Sequence, residues 1–192
     1  CAACGIAPGL ARRFGFESLV NFDAEAWREL KEDAKSEVNL HADVRIRASD
    51  ISSMVVQKAL GNALRAGLGA LLEDGRLSIT VQDAREIRPP EGEEPGLIVA
   101  NPPYGEQSSP RSATVGSMMR KVADNLKREF PGWTAWMLTS DRHLPGEMHL
   151  QESRKTVLYN GPLECRFFRF NLVAGSNRRL TRKEKESSAA AG

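Results

Sequence analysis

Hydrophobic residues recur every three to four positions in three segments of this chain, a spacing that predicts three amphipathic helices. Asp23 and Ser52 are the expected starts of the first two, because each side chain can accept a hydrogen bond from the first helical turn. Gly67 is the expected end of the second helix, and Pro131-Gly132 ends the third. The apolar positions are Trp27, Leu30, Ala34 and Val38; Val56, Leu60 and Leu64; and Val115, Met118, Met119, Val122, Leu126 and Phe130.

Short apolar or alternating runs lie between these helices and predict six strands. The last two are joined by Asn160-Gly161-Pro162, a turn sequence that favours a closing antiparallel hairpin. Because strands alternate with helices, the expected fold class is α/β with a doubly wound sheet. The predicted strands cover residues 44–48, 77–81, 97–100, 134–139, 156–159 and 165–172.

The sequence Asn101-Pro102-Pro103-Tyr104 directly follows the apolar run 97–100. Such a run is typical of a buried, parallel strand, and two prolines cannot continue it because they lack N–H donors. The chain therefore turns at the carboxyl end of a strand, where ligands bind in open α/β sheets. An amide and an aromatic ring at this turn can hold a planar base that carries an exocyclic amine.

Two other strands are followed by acidic residues, Asp50 and Asp83. Side by side, the ends of these strands and of the strand before Asn101 would line one crevice. Asp50 is placed to accept hydrogen bonds from a ribose diol, and Asp83 from an adenine amino group. Asn101 and the Pro102 carbonyl can accept from a target amine, while Tyr104 can stack on its base.

Composition narrows the class of protein. The 192 residues suit one domain, 41% of them are hydrophobic, and the net charge is +2. The sequence contains no apolar run long enough to span a membrane and no visible secretory signal, so we expect a cytoplasmic protein. Cys1 and Cys4 have metal-ligand spacing without a second pair, so reduced thiols are favoured over a zinc site.

Several segments together resemble the methylase domain of THUMP-containing rRNA guanine-N2 methyltransferases. The tetrapeptide Asn101 to Tyr104 is similar to the signature of S-adenosylmethionine-dependent enzymes that methylate adenine N6, guanine N2 or glutamine amides. The resemblance covers roughly residues 5 to 173. The other matching segments are residues 7–10, 14–17, Asp23 with Trp27, 101–106, 130–133 and 160–165.

The resemblance implies a Rossmann-like class I methyltransferase fold, with S-adenosylmethionine as cofactor and ribosomal RNA as substrate. The reaction would place a methyl group on guanine N2, most naturally in large-subunit rRNA. The family pattern assigns catalysis to Asn101, Pro102, Pro103 and Tyr104, and cofactor binding to Asp50, Ile51, Asp83, Ala84 and Asn101. Arg111 and Arg142 lie near the expected mouth of the site and could contact RNA phosphates.

The family also has a first strand and a Gly-rich cofactor loop, which this chain lacks. We therefore expect residues 1–173 to be a partial methyltransferase domain, followed by a basic disordered tail at residues 174–192. An upstream THUMP-like domain is the expected partner in the full-length protein. Two alternatives stay open: an adenine-N6 methyltransferase of DNA or RNA, and a non-catalytic RNA-binding fragment.

Overall fold

The computed structural model describes residues 1–10, 12–103 and 112–173, with backbone alone for residues 112–114. The chain divides into two compact units, Cys1–Ala84 and Arg85–Gly192. The predicted tail at residues 174–192 lies outside the described residues. In the described part, no helix is both long enough and apolar enough to cross a membrane.

The described residues of the first unit form two short 3-10 helices, Ala2–Cys4 and Gly15–Ser18, together with three α-helices and two strands. The elements are α1 (Ala24–Ser36), β1 (Ile46–Asp50), α2 (Ser53–Arg65), α3 (Gly69–Glu73) and β2 (Leu77–Val81). β1 and β2 pair in parallel, with Ile46 opposite Leu77 and Asp50 opposite Val81. This register brings the carboxyl ends of the two strands to the same edge. A small core of buried residues holds the unit together: Cys4, Ile6, Ala63, Leu71 and Leu77.

The helix starts predicted at Asp23 and Ser52 are confirmed. The Asp23 carboxylate accepts hydrogen bonds from the backbone N–H groups of Glu25 and Ala26 at 3.1 and 2.9 Å. The Ser52 hydroxyl accepts from the N–H of Val55 at 3.5 Å. These bonds satisfy donors that have no partner within the first helical turn, so each helix begins where its cap allows.

Within its described ranges, the second unit contains two helices and a four-stranded sheet. The elements are β3 (Leu97–Ala100), α4 (Ser112–Glu129), β4 (Thr134–Thr139), α5 (Leu144–Met148), β5 (Arg154–Asn160) and β6 (Leu163–Asn171). The strand order is β3-β4-β6-β5, in which β3 and β4 are parallel and β6 is antiparallel to β4 and β5. The predicted closing hairpin is confirmed, and Gly161 supplies the positive φ of 61° at its turn.

One face of this sheet packs against α4 and α5. The alternation along β4 buries every second residue, and β6 contributes the aromatic side chains of Phe168 and Phe170. The spacing predicted for the third helix is confirmed, because its apolar stripe forms the other half of this core. The buried helical residues are Met119, Val122, Ala123, Leu126, Leu144 and Met148.

The prediction that the strand before Asn101 is buried was wrong in one respect. β3 is parallel to β4 as expected, but Leu97 and Val99 are 69% and 68% exposed. Ile98 and Ala100 point to the opposite face and pack against the core of the second unit. The continuous apolar run therefore forms a strand of which the described residues bury only one face.

Other boundaries differ by a few residues. β1 begins at Ile46 instead of Val44, and α1 ends at Ser36, so Val38 lies beyond the helix and packs against the first core. The short helices α3 and α5 were not predicted, because five residues are too few to establish a periodic pattern.

Candidate functional site

The first group of candidate residues lies at the carboxyl ends of β1 and β2. Asp50 is the last residue of β1, and its carbonyl accepts a hydrogen bond from the N–H of Gln82 at 3.0 Å. Asp83 therefore lies one residue beyond this contact, two residues after the end of the neighbouring parallel strand β2. The prediction that Asp50 and Asp83 follow adjacent strands is confirmed by the pairing of β1 with β2.

The environment of Asp50 leaves part of its carboxylate available. One carboxylate oxygen, Oδ1, accepts the N–H of Ser52 at 2.8 Å and fixes the turn into α2. The side chain is half-buried, while the next residue, Ile51, is 68% exposed. Asp83 is half-buried and Ala84 is exposed. This edge offers a carboxylate acceptor beside an apolar side chain, which suits a nucleoside with a polar sugar and an apolar base face.

The second group lies at the carboxyl end of β3. Asn101 and Pro103 are exposed, and Pro102 is half-buried. The two prolines line a small cavity of about 50 Å³ together with side chains from α4, β4 and α5. Tyr104, the fourth residue of the motif, lies outside the described residues. The other residues around the cavity are Val115, Met119, Thr139, Asp141, Leu144 and Glu147.

Local hydrogen bonds shape the wall formed after β4. The hydroxyl of Thr139, which is 2% exposed, accepts the N–H of Asp141 at 3.0 Å. The Asp141 carboxylate in turn accepts the N–H of His143 at 2.8 Å and leads the chain into α5. Since β3 and β4 are parallel, their carboxyl ends share an edge, and this turn lies beside the proline motif.

Glu147 is the acidic residue of α5 that reaches this cavity. Partial burial raises its pKa above the ordinary value, and the negative charge of Asp141 raises it further, while His143 acts in the opposite direction. Glu147 and Thr139 carry no signal in the sequence pattern that would have indicated a place at this site. The rule applied to Asp50 and Asp83 could have found Asp141, because this residue also follows a parallel strand.

Arg142, one of the two arginines predicted to contact RNA phosphates, forms an ion pair within the second unit. Its guanidinium donates to the Glu164 carboxylate at 2.7 Å, although the Arg142 side chain is 68% exposed. The same carboxylate also accepts from Arg166 at 2.7 Å. These partners, with Arg166 the strongest, hold the pKa of Glu164 below its ordinary value. Arg111 lies outside the described residues.

Comparison with known proteins assigns the chain to a family. The family described as UPF0020, an RMKL-like methyltransferase domain, matches residues 2–169. The chain belongs to this family. A ribosomal RNA large subunit methyltransferase K/L from Shewanella sp. (strain MR-4) is 38% identical over 186 residues, which is 93% of this chain. The chain spans about a quarter of the length of such relatives, with 24% of this one covered.

Solved structures share the fold of this chain. A protein assigned as a methylase from Clostridium difficile 630 is 26% identical, with a TM-score of 0.75, and the match covers 91% of this chain and 44% of that one. A second protein, assigned as a methyltransferase and solved in complex with SAH, is 23% identical with a TM-score of 0.74. That match covers 88% of this chain and 42% of the other. The expected Rossmann-like α/β fold is thereby confirmed.

The two groups of residues carry predicted roles in the same methyltransferase reaction, but they lie in different units of the chain. Asp50, Ile51, Asp83 and Ala84 belong to the first unit, and the motif that begins at Asn101 belongs to the second. The structure brings together the members of each group within its own unit. The prediction that all three strand ends line one crevice stays a prediction.

A larger cavity of about 490 Å³ lies within the first unit. Its lining is mostly apolar and includes Ala7, Pro8 and Leu10 from one of the segments that carry the family resemblance. None of the residues that the sequence assigned to cofactor or base binding lines it. The functional assignment therefore depends on the strand ends and the proline motif, and not on the size of a cavity.

Proposed function

We propose that this chain is part of a cytoplasmic enzyme that transfers a methyl group from S-adenosylmethionine to the exocyclic N2 amine of a guanine in large-subunit ribosomal RNA. One observation carries the proposal. Asn101-Pro102-Pro103 stands at the carboxyl end of the parallel strand β3, in a chain that belongs to a methyltransferase family. The relatives' name supports ribosomal RNA as the substrate.

The residues after β1 and β2 fit the adenosine part of the cofactor. Asp50 keeps an oxygen beyond the one that Ser52 occupies, and a carboxylate is a strong acceptor for ribose hydroxyls. Ile51 offers an exposed apolar surface for the adenine ring, and Asp83 is the proposed acceptor for the adenine amino group. The SAH bound to a structural neighbour supports this choice of cofactor. When bound, S-adenosylmethionine supplies a methyl group attached to a positively charged sulfur.

Asn101 and Pro102 are proposed to orient the target amine. The lone pair of guanine N2 is delocalised into the ring, which makes the amine a poor nucleophile. The side-chain oxygen of Asn101 and the carbonyl of Pro102 would each accept one amine hydrogen, which aims the lone pair toward the methyl donor. Correct positioning of two reactants can supply much of the rate enhancement of an enzyme.

The target base must leave its stack before the amine can reach Asn101. Flipping a nucleotide costs a few kcal/mol, and a stacking surface in the enzyme offsets part of this cost. Tyr104 follows Pro103 directly and supplies an aromatic ring of the kind on which bases stack, worth about 1–3 kcal/mol per base. Arg111 and Arg142 are the proposed contacts to RNA phosphates.

We also propose that residues 1–173 are part of a longer methyltransferase domain, preceded by an RNA-binding THUMP-like module. The exposed apolar face of β3 supports this, because Leu97 and Val99 would stabilise the fold if a further layer covered them. The greater length of the relatives supports it as well. Amide hydrogen exchange provides a test, since protection of β3 should rise when the preceding sequence of the reading frame is present. Equal protection with and without that sequence would contradict this part of the proposal.

Mass spectrometry of the product tests the proposed reaction. The protein expressed from its full reading frame is incubated with S-adenosylmethionine and unmodified large-subunit rRNA, and the RNA is then digested to nucleosides. We expect N2-methylguanosine from the native protein and none from the Asn101→Ala variant. N6-methyladenosine would support the adenine alternative. RNA binding without any methylated nucleoside would support the non-catalytic alternative.

A further inference from the structure

Glu147 occupies a position that the reaction described so far does not explain. Its side chain lines the same cavity as Pro102 and Pro103, at the carboxyl end of β3. The cavity, at about 50 Å³, is too small for a base and has room for only a few water molecules. A substrate base bound at the Asn101-Pro102-Pro103 motif could therefore contact Glu147 only through one edge of its ring.

The carboxylate of Glu147 is held close to α4 without a hydrogen-bonding partner among the described residues. It lies against Gly116, where an added methyl group would come within about 3.1 Å of the carboxyl carbon. Buried Leu144, at 3% exposed, and Met119, at 2% exposed, form the apolar wall of the same cavity. A partly desolvated carboxylate of this kind gains from an N–H donor. Partial burial and, to a smaller extent, the negative charge of Asp141 raise the pKa of Glu147, while His143 lowers it.

The two bases considered as substrates differ at the ring atom beside the reactive amine. In guanine, the ring nitrogen N1 next to the N2 amine carries a hydrogen and donates. In adenine, the ring nitrogen N1 next to the N6 amine carries no hydrogen and accepts. An ionised carboxylate only accepts hydrogen bonds, so it attracts the first arrangement and repels the second.

We propose that Glu147 selects guanine by accepting the ring N1–H beside the amine that Asn101 orients. This inference rests on the proposed function and adds a specificity-determining residue to it. Glu147 acts on the ring edge, while Asn101 and Pro102 act on the amine. The small size of Gly116 allows the carboxylate to remain close to α4 and point into the cavity.

A substrate analogue tests the contact directly. 2-Aminopurine keeps the amine at C2 but has no hydrogen on N1, so it removes the proposed donor and leaves the reacting group. With an rRNA fragment that carries guanine or 2-aminopurine at the mapped position, we expect the native full-length enzyme to prefer guanine by at least about tenfold in kcat/KM. The Glu147→Gln variant should bring this ratio close to one, because its amide can donate as well as accept.

Two further variants separate this role from a structural one. Gly116→Ala keeps the negative charge but forces the carboxylate to shift by a few tenths of an ångström, and it should lower the preference for guanine severalfold. Alanine is also the better helix former, so α4 should remain folded. Glu152→Gln alters an exposed glutamate that does not line the cavity and should leave the ratio unchanged.

The outcomes distinguish this inference from the proposed function. If the enzyme makes no N2-methylguanosine, both fail together. If it makes N2-methylguanosine, but Glu147→Gln and Gly116→Ala both keep the native preference for guanine over 2-aminopurine, the role of Glu147 is wrong and the reaction stands. Thermal unfolding of each variant is measured alongside, so that a loss of folded protein is not taken for a change in specificity.

Discussion

Replacing Asp50 by asparagine removes the negative charge at the end of β1 while keeping an oxygen for the N–H of Ser52, now 2.8 Å from Asp50 Oδ1. A hydrogen bond to a charged group contributes about 1.5–3 kcal/mol, compared with about 1 kcal/mol for a neutral pair. The difference of about 0.5–2 kcal/mol predicts that S-adenosylmethionine binds about 2- to 30-fold more weakly to Asp50→Asn.

Isothermal titration calorimetry on the full-length protein measures this change directly. Asp50→Ala should weaken binding more than Asp50→Asn, because it also leaves the Ser52 N–H without its acceptor and loosens the turn into α2. Asp33→Asn, at an exposed position of α1, serves as the matched control and should bind normally. A dissociation constant within twofold of the native value for a folded Asp50→Asn protein would refute the assignment of Asp50 to the ribose.

Three other predictions concern the motif and the core. Asn101→Ala should abolish methyl transfer in single-turnover assays while S-adenosylmethionine affinity stays within a few-fold, because the amide acts on the target amine. Tyr104→Ala should reduce turnover and RNA affinity more than Tyr104→Phe, since stacking needs a ring and not a hydroxyl. Leu126→Ala, at a position 1% exposed, should lower the free energy of unfolding by about 2–5 kcal/mol in denaturant titrations.

Each of these predictions has a result that contradicts it. Parallel loss of cofactor binding and activity in Asn101→Ala would show that the amide does not act on the amine alone. Equal damage from Tyr104→Phe and Tyr104→Ala would assign the role of Tyr104 to its hydroxyl. A change below about 1 kcal/mol for Leu126→Ala would show that α4 does not depend on the packing seen around this residue. Leu64→Ala, at an exposed position of α2, is the matched control for the core variant.

Local sequence determined most of the secondary structure and the candidate site residues at the ends of β1, β2 and β3. Asp23 and Ser52 marked helix starts because their side chains bond to the backbone within three residues, a range that a sequence pattern contains. The same holds for the hairpin turn at Gly161, where a positive φ is needed. The residues after β1, β2 and β3 could be selected because strand ends are visible as the points where apolar runs stop.

Tertiary structure decided what depends on contacts distant in sequence. The exposure of Val99 depends on which other elements cover β3. A continuous apolar run in the sequence is the same whether one face of the strand or both faces are buried. Glu147 meets Gly116 across 31 positions, from a helix of five residues that has no periodicity to detect. Its place beside Pro102 follows from the parallel pairing of β3 with β4, because that pairing brings the turn after β4 to the same edge as the motif.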